Sequence, residues 1–208
     1  VAIVLAVVLA VMRKSVNPVL RGVSWFYIWF FRGTPVYTQL VFWGLFAVLI
    51  PKISLGIPFT SVEFWSIDSN VVVTAFNAAW IGLALNEAAY LSEIVRAGLE
   101  AVDPGQTEAA KALGMNRTLI MRRIVLPQAL RTAVPALSNS LIGMIKDTSL
   151  ASNITVAELF MAGQRVAART YIFLPIYCEV AVVYLLFCTV ITKLQAVLEH
   201  RLNARGFQ

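Results

Sequence analysis

Apolar residues fall in long runs, broken by short charged stretches. Val1–Met12 is apolar. Val36–Ile50 is apolar and ends at Pro51, and the polar stretch Lys52–Asn70 follows it. Val71–Val95 is apolar except for Asn77, Asn86, Glu87 and Glu93. Thr132–Ala151 carries Pro135 and a row of Ser and Asn, and Tyr171–Ile191 carries one acid, Glu179. No stretch shows the period-two alternation of a half-buried strand. Five segments near the roughly 20 residues that a bilayer crossing requires predict an all-α, polytopic membrane protein with five transmembrane helices. The first is short, since Val1–Val11 spans only about 16 Å as a helix. Its basic flank, Arg13 and Lys14, follows the run instead of preceding it, which reads as the second half of a truncated membrane helix and not as a signal peptide. Residues 1–208 form a single transmembrane domain in this reading, with a charged loop, 96–131, inside it.

Composition agrees with the pattern. The chain is 59% hydrophobic and 13% charged, about half the charged fraction of a soluble domain. That excludes a soluble enzyme, a disordered tail and a nucleic-acid-binding module. Cys178 and Cys188 have no metal-ligand or disulfide spacing and read as core residues, and no metal or cofactor is expected. Lys and Arg orient the chain. Placing Arg13, Lys14, Arg21, Arg32, the 96–131 loop and the C-terminus on one side puts thirteen basic residues there, Arg205 among them. Lys52, Arg165 and Arg169 lie opposite, and Lys146 falls inside a span. This asymmetry places the N-terminus outside, and the C-terminus and the long loop in the cytoplasm. His200, the one histidine, reads as a surface residue.

The loop carries helix punctuation. Asp103 can cap, Pro104 suits the first helical position, and Gln106 can return the capping bond. A helix over about 104–113 stops at Gly114, the residue that tolerates a left-handed turn. Asn116 can cap a second helix, Arg117–Leu126, which Pro127 ends. Ala109, Ala110 and Ala112 are small enough for another surface to approach the backbone. Glu108 and Lys111 can pair with each other or with a partner.

Glu108-Ala109-Ala110, three residues, Gly114, nine residues, then Ile124-Val125-Leu126-Pro127 resembles the EAA loop of bacterial ATP-binding-cassette importer permeases. Phe31-Arg32-Gly33-Thr34-Pro35, the stretch from Ala89 to Arg96, the stretch from Lys146 to Ala151, and Ala168-Arg169-Thr170 extend the likeness along the chain. Together they resemble the polar-amino-acid uptake subfamily of type I importer permeases. The resemblance implies a bacterial cytoplasmic-membrane permease with five spans. It also implies a second permease subunit, identical or paralogous, two cytoplasmic ATPase subunits and an external solute-binding protein. Glu108, Ala109, Ala110, Lys111 and Gly114 then form the ATPase-coupling segment. The chain has no Gly-x4-Gly-Lys-Ser/Thr phosphate loop, so ATP hydrolysis falls to the partner and the chain itself is no enzyme.

Ionisable groups inside spans mark the substrate path. An amino acid needs a partner for its carboxylate and another for its ammonium. Asn139, Gly143 and Lys146 share one face of the fourth span, and Ser140, Met144, Asp147 and Ala151 form a neighbouring stripe. Lys146 or helix-end amides are expected to take the carboxylate, and Asp147 or Glu87 the ammonium, with Asn139 and Ser140 lining the path. Glu179 is expected to pair with Arg165 or Arg169. Ser140 stands where relatives that carry basic amino acids often have an acid, which weighs against arginine or lysine, although Glu87 can compensate; polar neutral amino acids, cystine included, stay open, and acidic ones fit less well beside two or three carboxylates. Two rival classes differ in outcome. A membrane enzyme using Glu87, Glu93 and Asp147 lacks a nucleophile–base pair or a metal set. A membrane scaffold or pore-forming subunit without energy coupling would not need the EAA segment.

Overall fold

The computed structural model describes residues 1–56 and 63–204. Arg205 lies outside the described residues, as does the side chain of His200. Helix α1 (Ala2–Arg13) and α2 (Pro18–Gly33) are followed by α3 (Val36–Gly44), the short α4 (Phe46–Leu49) and a two-stranded antiparallel hairpin, β1 (Lys52–Gly56) and β2 (Glu63–Asp68). Then come α5 (Ser69–Val72), the long α6 (Ala75–Glu100), α7 (Pro104–Ala112) and α8 (Arg117–Ile120). A π turn, Met121–Val125, leads into α9 (Leu126–Asp147), and a 3-10 turn, Thr148–Ile154, into α10 (Leu159–Thr170) and α11 (Phe173–Ala204).

The architecture is all-α, with the apolar runs as α1, α3–α4, α6, α9 and α11. The hairpin is a departure from the expectation of no strands. Ile53 pairs with Ile67 and Ser54 with Ser66, so alternation does exist there, over too few residues to stand out from a polar stretch. Only Phe173–Glu199, with mean hydropathy 2.1, is long and apolar enough by itself to cross a membrane among the described residues. The other long helices carry polar groups at the positions that build the cleft described below.

Helix α6 is the centre of the bundle, packed by α1, α2, α3 and α9. Its buried positions are mostly small: Ala78, Ala79, Gly82, Ala88, Ala89, Ser92 and Gly98. Small residues let neighbouring backbones come close, which is the main source of helix association where no hydrophobic effect acts between helices. At Gly98 an added Cβ would lie 2.9 Å from the Ala129 carbonyl of α9. Buried Ser24 donates to the Leu9 carbonyl at 2.8 Å, and Tyr27 to that of Leu85 at 2.8 Å, pinning α2 across α1 and α6. Helix α11 is different: Leu174, Leu185, Phe187 and Leu194 are all more than half exposed, an apolar face directed away from the bundle.

Candidate functional site

Two places carry the chemistry. The first is the loop between α6 and α9. Asp103 accepts from the Gly105 amide at 2.7 Å, and Pro104 opens α7, as the punctuation predicts. The return bond from the Gln106 side chain is not formed. At the other end Gly114 has φ +79°. Its amide donates to Lys111 at 2.9 Å and the Met115 amide to Ala110 at 3.1 Å, the paired bonds that close a helix on a left-handed residue. Asn116 then accepts from Leu119 at 2.9 Å. Pro127 does not end a helix, contrary to expectation. The wide π turn before it removes the clash between the proline ring and the carbonyl four residues back. The Ile124 carbonyl accepts from the Gln128 side chain at 3.0 Å.

Ala110 is buried against this scaffold, whereas Glu108, Ala109, Lys111 and Ala112 are exposed. Glu108 and Lys111 do not pair with each other. Leu113, which the sequence reading passed over, is 82% exposed at the end of α7. The segment therefore presents a small-residue ridge flanked by one acid, one base and an unburied leucine. Where α6 ends, Arg96 bridges Glu93 at 2.7 Å and Glu100 at 2.5 Å. Those hydrogen bonds push the pKa of its guanidinium up.

The second place is a cleft of about 490 Å³ between the α2–α3 turn, α6 and α9. Helix α6 contributes Asn86, Glu87 and Tyr90, and α9 contributes Ser140, Gly143, Met144 and Asp147, at the i, i+3, i+4, i+7 spacing of one helical face. The turn contributes Arg32, whose guanidinium carbon sits 5.3 Å from the centre of the Tyr90 ring, within cation–π range. Ser140 donates to Glu87 at 2.5 Å. One cation and two carboxylates thus share a polar cleft.

Of the five expected substrate residues, the structure brings Glu87, Ser140 and Asp147 together. Asn139 and Lys146 lie elsewhere. They occupy the stripe about 100° further round α9, which faces α11. Asn139 accepts from Gln195 at 3.4 Å, and Lys146 lines a separate cavity with Tyr177 and Tyr184. Gly143, expected beside them, joins the cleft instead. The cation in the cleft is Arg32 and not Lys146; Arg32 belongs to the Phe31–Pro35 motif, and its position opposite α6 depends on a turn between helices. The absence of an acid at 140 also changes meaning, because Glu87 from α6 places its carboxylate against that serine. Glu179 is exposed and makes no ion pair with Arg165 or Arg169. A larger groove of about 620 Å³ behind Glu87 is lined almost wholly by apolar side chains and offers no second charge for a zwitterion.

Comparison with known proteins gives a consistent result. The chain is 47% identical over 198 residues to the arginine transport system permease protein ArgU of Corynebacterium glutamicum, covering 95% of this chain and 61% of that relative. It is 39% identical to the L-cystine transport system permease protein TcyB of Bacillus subtilis over 96% of this chain and 78% of that one. The crystal structure of an amino acid ABC transporter with histidines superposes with a TM-score of 0.76 at 33% identity, over 96% of this chain and 86% of that chain. The pattern described as "Binding-protein-dependent transport system inner membrane component" matches residues 2–204. The chain therefore belongs to this family of importer permeases, a transport subunit and not an enzyme.

Proposed function

We propose that the chain is the membrane permease subunit of an amino-acid importer, driven by separate ATPase subunits that grip α7. In this reading it works beside a second permease subunit and receives substrate from an external binding protein. The N-terminus is outside, and α7 and the C-terminus are cytoplasmic. The observation that carries the reading is the cleft in which Arg32 stands across from Glu87 and Asp147. Arg32 takes the α-carboxylate through charge-assisted, forked hydrogen bonds, and one acid takes the α-ammonium. A second acid remains, and it matches a positive side chain, so the cargo is a cationic amino acid. The arginine permease at 47% identity supports the same class.

Coupling follows from the other site. ATP-driven closure of the ATPase pair favours one arrangement of the helices that hold α7. Only such differential contact can shift the equilibrium between inward- and outward-facing states. Helix α8 and the π turn link α7 to α9, the helix that carries Ser140 and Asp147.

Equilibrium binding of radiolabelled L-arginine to the purified permease–ATPase complex tests the proposal. Arg32→Ala and Glu87→Gln are each expected to weaken binding roughly tenfold or more, the loss of about 1.4 kcal/mol of charge-assisted contact. L-glutamate should compete poorly. Equal competition by L-glutamate, or unchanged binding in both variants, would refute the cationic reading.

A further inference from the structure

The end of α2 has no glycine cap. Gly33 is not left-handed and the next residue, Thr34, is extended at φ −114°, ψ 142°. The last carbonyls of a helix have no partner within it, and in a membrane-embedded bundle each unsatisfied one is costly. Here side chains meet the demand. Thr34 donates to the Phe30 carbonyl at 2.9 Å. The Gln39 amide nitrogen lies 3.0 Å from the Phe31 carbonyl, 3.1 Å from the Thr34 carbonyl and 2.7 Å from the Thr34 hydroxyl. Asn86 donates to the same Phe31 carbonyl at 3.0 Å and to the Gln39 side-chain oxygen at 3.2 Å.

Both amides are buried, Gln39 to 6% exposure and Asn86 to 8%. They join three elements at one point: Gln39 on α3, Asn86 on α6, and the turn that ends α2. Arg32 follows Phe31 directly, and Asn86 precedes Glu87 and stands one helical turn from Tyr90. The two amides therefore fix where the Arg32 guanidinium stands relative to the acid and the ring on α6. Gln39 itself does not line the cleft.

We propose that Gln39 is a positioning residue for substrate recognition: held by Asn86, it clamps the α2–α3 turn so that Arg32 meets the substrate carboxylate. This rests on the cleft reading above. A role through Arg32 predicts a specific readout, namely discrimination between an amino acid and the same molecule without its α-carboxylate.

The test measures binding of L-arginine and of its decarboxylated amine, agmatine, to the purified permease–ATPase complex. Gln39→Glu keeps the size and removes the donors; Gln39→Leu removes all polar contacts. Each is expected to weaken L-arginine binding about tenfold while changing agmatine binding less than twofold. Adding either to Arg32→Ala should cause no further loss, because both remove the same contact. Size-exclusion profiles identify any variant that fails to assemble, and the isosteric Gln39→Glu then decides. Wild-type preference for L-arginine over agmatine in both assembled Gln39 variants overturns this inference alone, as does additivity with Arg32→Ala. If Arg32→Ala leaves L-arginine binding intact, the cleft reading falls and this inference with it.

Discussion

The crossing of α6 and α9 at Gly98 is where a single methyl group should matter most. An added Cβ there would meet the Ala129 carbonyl oxygen at 2.9 Å and the Ala133 Cβ at 3.0 Å. Ordinary contact is about half an ångström longer. Neither neighbour can swing away, since one is backbone and the other a methyl fixed to it, so the helices must separate. Overpacking of this kind costs about 1–3 kcal/mol, against a helix-propensity gain of about 1 kcal/mol for Gly→Ala. The net expectation for Gly98→Ala is a loss of up to about 2 kcal/mol, which for a chain of this size lowers Tm by up to roughly 8 °C. Gly22 in α2 provides the opposite sign. Nothing lies within 4 Å of a Cβ built there, so Gly22→Ala should stabilise by about 0.5–1 kcal/mol. Thermal stability of the purified complex, followed by size-exclusion chromatography after heating, measures both. A rise in Tm for Gly98→Ala would refute the close-crossing argument, and a fall for Gly22→Ala would show that propensity is not what governs the open site.

Three further outcomes are expected. Gly114→Val puts a β-branched side chain at φ +79°, at a cost of roughly 1–2 kcal/mol; with Glu108→Lys it should abolish stimulation of ATP hydrolysis by loaded binding protein, and normal stimulation in both would remove α7 from the coupling path. Lys146→Ala should leave L-arginine affinity within about twofold, because Lys146 faces α10 and α11 and not the cleft; a loss comparable to that of Arg32→Ala would restore it to the substrate site. Tyr27→Phe deletes the 2.8 Å bond to the Leu85 carbonyl and should cost about 1 kcal/mol, read as a lower Tm with unchanged substrate preference.

What the sequence disclosed was mostly local. Caps and stops depend on a few neighbouring residues, so Asp103, Gly114 and Asn116 predicted the ends of α7 and the start of α8 correctly. Pro127 misled because a π turn upstream supplies the room its ring needs, and nothing in the residue pattern marks that turn. The hairpin was hidden by strands only five and six residues long. The cleft was half legible. Helical spacing grouped Ser140 with Asp147, but spacing alone does not say which of two adjacent stripes faces which neighbour. That choice is made by α11 packing on the Asn139–Lys146 side. Phe31, Gln39 and Asn86 meet across 47 to 55 residues of chain, a distance that periodicity cannot bridge, and Arg32 is carried to the cleft by that junction.

The most direct test of the central claim places Cys at Leu113, in a background carrying Cys178→Ser and Cys188→Ser. Inside-out membrane vesicles stripped of ATPase are treated with a membrane-impermeant maleimide, then treated again after the ATPase subunits are restored. The account predicts rapid labelling from the cytoplasmic face and strong protection once the ATPase is bound. Labelling only from the outer face, or labelling that the ATPase does not alter, would contradict it.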